Sequence, residues 1–176
     1  MGLDVFAKSI EQNNVPMLTE QTQAWFTPEW IGKDVVLQSS KTKNSIDHHF
    51  DVVFPAVHGT FCEDGTLQGL LELSGLPYVG CGVLSSAVGM DKDIAKKLVA
   101  HAGVPVAPYI ACKHDQWLQH PKAVLESISK HLTYPLFVKP ANTGSSVGIT
   151  KVKTPDQLSK AIDEAFRFDT KILIEN

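Results

Sequence analysis

The sequence predicts an α/β protein in which a parallel βαβ unit is followed by a mixed α+β unit. Three observations predict it. Residues 51–57 (DVVFPAV) are a continuous apolar run that leads through a loop into a helical pattern; residues 136–140 and 148–152 flank a small-residue loop as the arms of a hairpin; and residues 154–166 carry an apolar stripe at helical spacing. The composition agrees: 176 residues, 43% hydrophobic and 20% charged, with 12 Gly and 10 Pro spread along the chain, suit one ordinary domain or two small ones. Fibrous, low-complexity and disulfide-scaffold classes are excluded.

Sixteen basic against nineteen acidic side chains leave a net charge of −3, so no global field draws the chain to nucleic acid or to anionic lipid. Arg167 is the single arginine, and lysines therefore carry the local anion chemistry. Cys62, Cys81 and Cys112 lack CxxC spacing, which argues against a zinc site and for a reducing compartment. The first ten residues (MGLDVFAKSI) lack the basic and apolar regions of a leader, and Phe6 stands where a myristoylation motif needs Ser or Thr. The longest mostly apolar stretch, residues 98–112, is broken by Gly103, Pro105 and Pro108 and is too short to span a bilayer. These features predict a cytoplasmic protein.

Taken in order, Val35, Val36 and Leu37 are a short strand, and the polar run 38–49 reads as a loop. Residues 51–57 are expected to form a strand buried on both faces of a parallel sheet. A helix follows over 66–74, with Leu67, Leu70, Leu71 and Ser74 on one face and Gly75 as its stop; residues 76–80 form the second parallel strand. Asp91 caps a helix whose buried face is expected to be Ile94, Ala95, Leu98, Val99 and Ala102, ending at Gly103. A linker at 104–108 then separates the two predicted domains, residues 1–104 and 105–176. Beyond it come a strand before Lys113, a helix over 122–131, the hairpin, and a helix opened by Thr154, Pro155 and Gln157 as cap, first position and capping box. Residues 171–174 are a last apolar strand.

Two stretches carry candidate chemistry. The loop 142–148 (NTGSSVG) follows Lys139 directly; its small residues let backbone N–H groups approach phosphate oxygens, its hydroxyls add donors, and the lysine supplies a point charge. It matches neither a Walker loop nor a GxGxxG fingerprint, and the same residues also read as an ordinary hairpin turn beside a solvated lysine. His58, with Glu63 and Asp64 after it, stands at the carboxyl end of a predicted parallel strand, where α/β folds bind ligands. The competing account makes His58 a turn residue and the two acids caps of the next helix. Lys92 sits in the first turn of a helix, where its charge opposes the dipole, and it therefore reads as reaching for an anion; Lys96 and Lys97 read as a solvated face.

The stretches AVHG (56–59), EDGTLQG (63–69), LPYVG (76–80), MDK (90–92), FVKP (137–140) and GSSVG (144–148), in this order and spacing, resemble the D-alanine:D-alanine ligases. The resemblance covers the chain from about residue 51 to 175. It implies a pre-ATP-grasp, Rossmann-like substrate domain over 1–104, incomplete at its N-terminus, and the central α+β subdomain of an ATP-grasp fold over 105–176. It further implies that ATP phosphorylates one D-alanine carboxylate and that the amine of a second D-alanine attacks the acyl phosphate, giving the dipeptide of peptidoglycan synthesis. Lys92 and Lys139 would hold the nucleotide phosphates, under a loop of Gly144, Ser145, Ser146 and Val147 in which Ser146 is a donor. Ser145 would position substrate and take part in catalysis, His58 would lie by the first D-alanine with Glu63 in support, and Glu175 would open the adenine hinge.

By the same resemblance the enzyme is a cytoplasmic homodimer that uses magnesium, with none of the metal ligands within these residues. The family's first strand, a substrate-binding glutamate loop and the catalytic arginine have no counterpart here. The expectation is therefore a fragment that is inactive by itself. A D-alanine:D-lactate type ligase, or a non-catalytic remnant that binds a nucleotide or a partner, are the alternatives.

Overall fold

A computed structural model of the chain describes residues 51–176 and, before them, the strands β1 (Thr22–Phe26), β2 (Asp34–Ser39) and β3 (Ser45–His49). The three pair antiparallel in the order β1-β2-β3, with Val36 in register with Trp25 and Asp47. The strand expected at 35–37 is there, but the polar run after it is not all loop: Gln38 and Ser39 extend β2, and residues 45–49 are β3. Antiparallel strands accept polar residues because such a sheet needs only one apolar face. The chain divides into two compact units, residues 1–51 with 73–76, and residues 52–72 with 77–176; apart from residues 73–76, at the end of the first helix, the elements below belong to the second.

The run 51–57 departs from expectation. Its parallel pairing is a single bridge, in which Val53 N donates to Pro77 O (2.8 Å) and Val79 N to Val53 O (2.9 Å). Val52 is 54% and Phe54 73% exposed, so this is not a strand buried on both faces. An apolar run is buried only where layers cover it, and the described residues leave these side chains open. Helix α1 (Thr66–Leu73) follows and Gly75 stops it at φ +62°, although Gln68, Leu71 and Ser74 turn inward while Leu70 does not. Gly65, just before α1, has no substitute: its φ is +95°, and a Cβ there would stand 2.8 Å from Val83 O. Val83 opens α2 (Val83–Met90), a helix the sequence reading missed because Gly82 gives it no side-chain cap.

Helix α3 (Lys92–His101) is capped as expected, Asp91 Oδ1 accepting from Asp93 N (3.1 Å) and Ile94 N (3.2 Å). Its predicted buried face is wrong. Ile94, Leu98 and Val99 are exposed, and the one fully buried side chain is Asp93. The reason lies in what α3 packs against.

That partner is a four-stranded antiparallel sheet in the order β4-β7-β5-β6, formed by β4 (Tyr109–Lys113), β5 (Leu136–Pro140), β6 (Thr150–Val152) and β7 (Lys171–Glu175). On one face Cys112, Leu136, Val138, Val152, Ile172 and Ile174 meet α4 (His114–Gln119), α5 (Pro121–His131) and α6 (Leu158–Ala165) in a closed core that includes Trp117, Val124, Ile128, Ile162 and Ala165. Trp117 Nε1 donates to Asp163 Oδ1 (2.7 Å), tying α4 to α6. The predicted stripe of α6 is buried as expected, but its opening differs. Residues Pro155–Gln157 form a 3₁₀ turn, Thr154 makes no side-chain cap, and Gln157 Oε1 accepts from Lys153 N (3.0 Å) instead of completing a capping box.

The opposite face presents Tyr109, Lys139, Lys171, Leu173 and Glu175, because alternate side chains of a strand point to opposite sides. Helix α3 lies on this face. A helix that covers three charged side chains does so with its own charges, and that turns its apolar side outward. Ile162→Ala should lower the unfolding free energy by about 2–5 kcal/mol, whereas Leu98→Ala, at a site 52% exposed, should cost less than about 1 kcal/mol. Urea unfolding of the two variants checks this, and equal losses would show that the apolar face of α3 is covered after all.

Candidate functional site

The site grows from the first turns of α3 lying over β5 and β7. Lys92 Nζ donates to three carbonyls at the end of β5 and the start of the loop: Thr143 O (2.5 Å), Pro140 O (3.2 Å) and Ala141 O (3.2 Å); its own N–H donates to Ala141 O (3.1 Å). Burial, and then the nearby charge of Lys139, hold its ammonium below the ordinary lysine range. One turn on, Lys96 Nζ lies 2.8 Å from Glu175 Oε2 and 5.2 Å from the centre of the Tyr109 ring. Lys139 donates to the other oxygen, Glu175 Oε1. Burial opposes the charge on Glu175, but these two lysines outweigh it and hold the carboxyl below its ordinary range.

A second set of ion pairs fixes the helix. Lys171 Nζ reaches Asp91 Oδ2 (2.6 Å) and Asp93 Oδ2 (3.5 Å), Lys97 Nζ donates to Asp93 Oδ2 (3.0 Å), and Tyr109 Oη donates to Asp93 Oδ1 (3.1 Å). Burial raises Asp93, yet the bonds from Lys97 and Tyr109 leave it below its ordinary value; Lys171, desolvated but paired with Asp91, is held above.

The loop 142–148 is anchored at both ends. Asp169 Oδ2 accepts from Asn142 N (2.6 Å) and Asn142 Nδ2 (3.0 Å), and Thr143 Oγ1 donates to Val147 O (3.2 Å). Between the anchors Ser145 and Ser146 both sit in the left-handed region, at φ +50° and +61°, and are exposed. Two such residues in a row cost roughly 1–3 kcal/mol each, a strain typical of ligand-clamping loops. Gly148 (φ +72°) closes the loop where a Cβ would come within 2.8 Å of Pro140 and Phe168.

Beside the loop lies a cleft of ≈ 450 Å³ lined by Val57, Cys62, Glu63, Cys81, Ser86 and Gly144 among others. Glu63 Oε2 accepts from Gly59 N (2.5 Å), which folds residues 59–63 back on themselves. Asp64 is a cap, as the alternative reading had it: Oδ2 accepts from Phe61 N (2.7 Å) and Oδ1 from Thr66 N (3.0 Å), and these bonds outweigh burial and hold its carboxyl low. His58 is exposed, one residue past Val57 of the cleft wall. The structure thus brings Lys92, Lys139 and Glu175 together, sets Gly144 between them and Glu63, and leaves His58, Ser145, Ser146 and Val147 open to solvent.

Lys96, read from sequence as solvated, is only 20% exposed and belongs to the cluster. Its i,i+4 spacing from Lys92 was the available signal. Tyr109, Asp93 and Lys171 were missed too, although strand alternation places Lys171 on the same face as Glu175.

Comparison with known proteins bears on what this arrangement is. A profile described as "D-ala D-ala ligase N-terminus" matches residues 6–81, and one described as "D-ala D-ala ligase C-terminus" matches residues 98–176. The chain belongs to the D-alanine–D-alanine ligase family. Among curated ligases of this family, the D-alanine–D-alanine ligase A of Bradyrhizobium diazoefficiens is 56% identical over 125 residues, 71% of this chain and 34% of that protein. The D-alanine–D-alanine ligase of Bacillus velezensis is 47% identical over 164 residues, 93% of this chain and 46% of that protein.

Of solved structures, the VanG D-Ala:D-Ser ligase from Enterococcus faecalis superposes with a TM-score of 0.75 at 41% identity, over 88% of this chain and 42% of its own. The D-alanine–D-alanine ligase from Coxiella burnetii superposes with a TM-score of 0.71 at 34% identity, over 97% and 44%. The chain spans less than half the length of the curated ligases named here. Among the described residues no three His, Cys, Asp or Glu side chains converge to hold a metal ion, and magnesium enters no step derived from them. No described helix is long and apolar enough to cross a membrane.

The depressed Glu175 and Asp93 carboxyls make the cluster acid-labile. A carboxyl held below its unfolded value adds stability that is present above that value, 4.5 for Glu175, and is lost as pH falls through the folded one. Lys171, raised from 10.5, adds stability below that pH which is lost as pH rises through its folded value. In Glu175→Gln the fall in unfolding midpoint below about pH 4.5 should be shallower than in the wild type, with the alkaline limb unchanged. Urea titrations across pH 3–11 check this, and coincident acid limbs would remove Glu175 from the ion-paired cluster.

Proposed function

We propose that this chain supplies the D-alanine-binding and nucleotide-phosphate-binding parts of an ATP-dependent ligase that joins two D-alanine molecules for peptidoglycan synthesis. The observation that carries the reading is the convergence of Lys92 and Lys139 at the base of a strained, exposed Gly-Ser loop that also borders a cleft. Preorganised cations and N–H donors beneath a helix on the sheet face suit a crowded polyphosphate. ATP, when bound, supplies the phosphoryl group that activates a D-alanine carboxylate toward the second amine.

In this reading Lys139 turns from Glu175 toward phosphate, and Lys92 adds charge while its three carbonyl bonds hold the loop base. The segment from Gly144 through Ser145 and Ser146 to Val147 closes over the phosphates, with the Ser146 hydroxyl donating and Ser145 directing the substrate carboxylate. Glu63, by holding Gly59, sets the turn that carries His58 to the first D-alanine. The backbone at Glu175, at the end of the central strand, meets the adenine. We assign residues 1–104 to the substrate domain and 105–176 to the central ATP-grasp subdomain, so that α3 brings its lysines from the first to the second. The complete enzyme is proposed to be a cytoplasmic homodimer that takes magnesium through ligands outside the described residues. Because the chain spans under half of its relatives, these 176 residues are proposed not to complete ligation by themselves.

In the complete enzyme Lys139→Met should raise the KM for ATP by roughly 10- to 100-fold while changing that for D-alanine less than about threefold. Steady-state kinetics with each substrate varied decides this, and equal losses would show that Lys139 faces something other than phosphate. The purified 176-residue chain should release no ADP in response to D-alanine. A coupled ADP assay checks it, and turnover would overturn the partial role.

A further inference from the structure

We propose that Lys96 is a positioning residue for the nucleotide: by sharing Glu175 with Lys139 it keeps the cluster one positive charge in excess, so that Lys139 can leave its carboxylate for phosphate. The inference rests on the phosphate role of Lys139 proposed above and extends it to a residue with no contact to the nucleotide in that reading.

The geometry is specific. Glu175 has two oxygens and the cluster gives each its own ammonium, Lys139 on Oε1 and Lys96 on Oε2. Both lysines are largely buried, at 18% and 20% exposed, so neither charge is screened as a surface lysine would be. Lys96 is further fixed by the Tyr109 ring below it, and Tyr109 by Asp93. It is held from two sides, by Glu175 and by the Tyr109 ring. With Lys96 present, Lys139, Lys96 and Glu175 sum to +1. Without it, Lys139 and Glu175 are a neutral pair that a phosphate must break before it gains anything. When Lys139 turns away in the wild type, Glu175 keeps Lys96 as its partner and no buried carboxylate is left unpaired, the outcome that makes broken buried pairs costly.

The test uses the 176-residue chain with ATP and with adenosine, read by equilibrium NMR titration, each variant first shown by urea unfolding to be folded. Lys96→Met should weaken ATP roughly tenfold and leave adenosine within twofold. Lys96→Arg, which keeps the charge, should bind ATP within about threefold of wild type. The decisive variant is Lys96→Met combined with Glu175→Gln: it returns the cluster to +1, and ATP affinity should recover to within about threefold of wild type. If the double variant stays as weak as Lys96→Met, Lys96 meets the phosphate itself and the positioning role is wrong. If ATP and adenosine weaken together, Lys96 is only structural and the inference also fails. Absence of ATP binding by the wild-type chain would overturn the nucleotide reading of the whole site, an outcome separable from either of these.

Discussion

Strand β7 has to serve two environments at once, and the rest of the structure depends on how it does so. It is the second strand of the order β4-β7-β5-β6, hydrogen-bonded on both edges, and four of its five residues are buried. Alternation sends Ile172 and Ile174 into the core against α5 and α6 and leaves Lys171 and Glu175 on the far face. Two ionisable groups under a packed helix are tolerable only when paired, because desolvation of an unpaired charge costs several kcal/mol. Helix α3 supplies the partners: Asp91 and Asp93 for Lys171, and Lys96 for Glu175 beside Lys139. Charge matching across this interface therefore fixes the rotation of α3, and the rotation in turn places Lys92 over the carbonyls that lead into the loop.

The loop inherits its shape from the same constraint. Its N-terminal end is drawn toward α3 by the Lys92 ammonium, and its C-terminal end is set by Gly148, wedged against Pro140 and Phe168. Between two fixed ends a short segment has few ways to turn, and here it turns with Ser145 and Ser146 in the left-handed region. Strain of this kind persists because the anchors over-determine it. A loop so held leaves the Ser145 and Ser146 side chains exposed in a single fixed conformation.

How much of this was legible in the sequence follows from which signals are local. The α6 stripe, the β5–β6 hairpin, the Asp91 cap and the stops at Gly75 and Gly103 all rest on residues close together in sequence, and all appear where the pattern placed them. Helix α3 misled because its sequence carries two usable faces, one apolar and one charged, and periodicity cannot say which will meet the core when the facing sheet is itself charged. Residues 51–57 misled for a related reason: an apolar run predicts burial only if layers exist on both sides of it. The same limit hid half of the site. Lys92, Lys139 and the loop were marked by local motif, but Lys96, Asp93, Tyr109 and Lys171 acquire their roles only when β7 runs between β4 and β5, a long-range pairing with no local sign.

The arrangement also explains why lysines with partners serve this site better than free ones would. An ammonium buried without a carboxylate beside it is costly to desolvate, and burial with the nearby charge of Lys139 holds Lys92 below the ordinary lysine range. A carboxylate between two ammonium groups pairs with both while cancelling only one of the two charges. Glu175 does this for Lys139 and Lys96, and its own depressed pKa is the reciprocal sign of the same attraction. The cluster thus remains cationic without being an uncompensated buried charge. On the proposed reading, a polyanion that draws Lys139 away has one ion pair to break, and the carboxylate keeps Lys96 as its partner. On the proposed reading, the salt bridge between Lys139 and Glu175 is the state in which the charge meant for phosphate is stored.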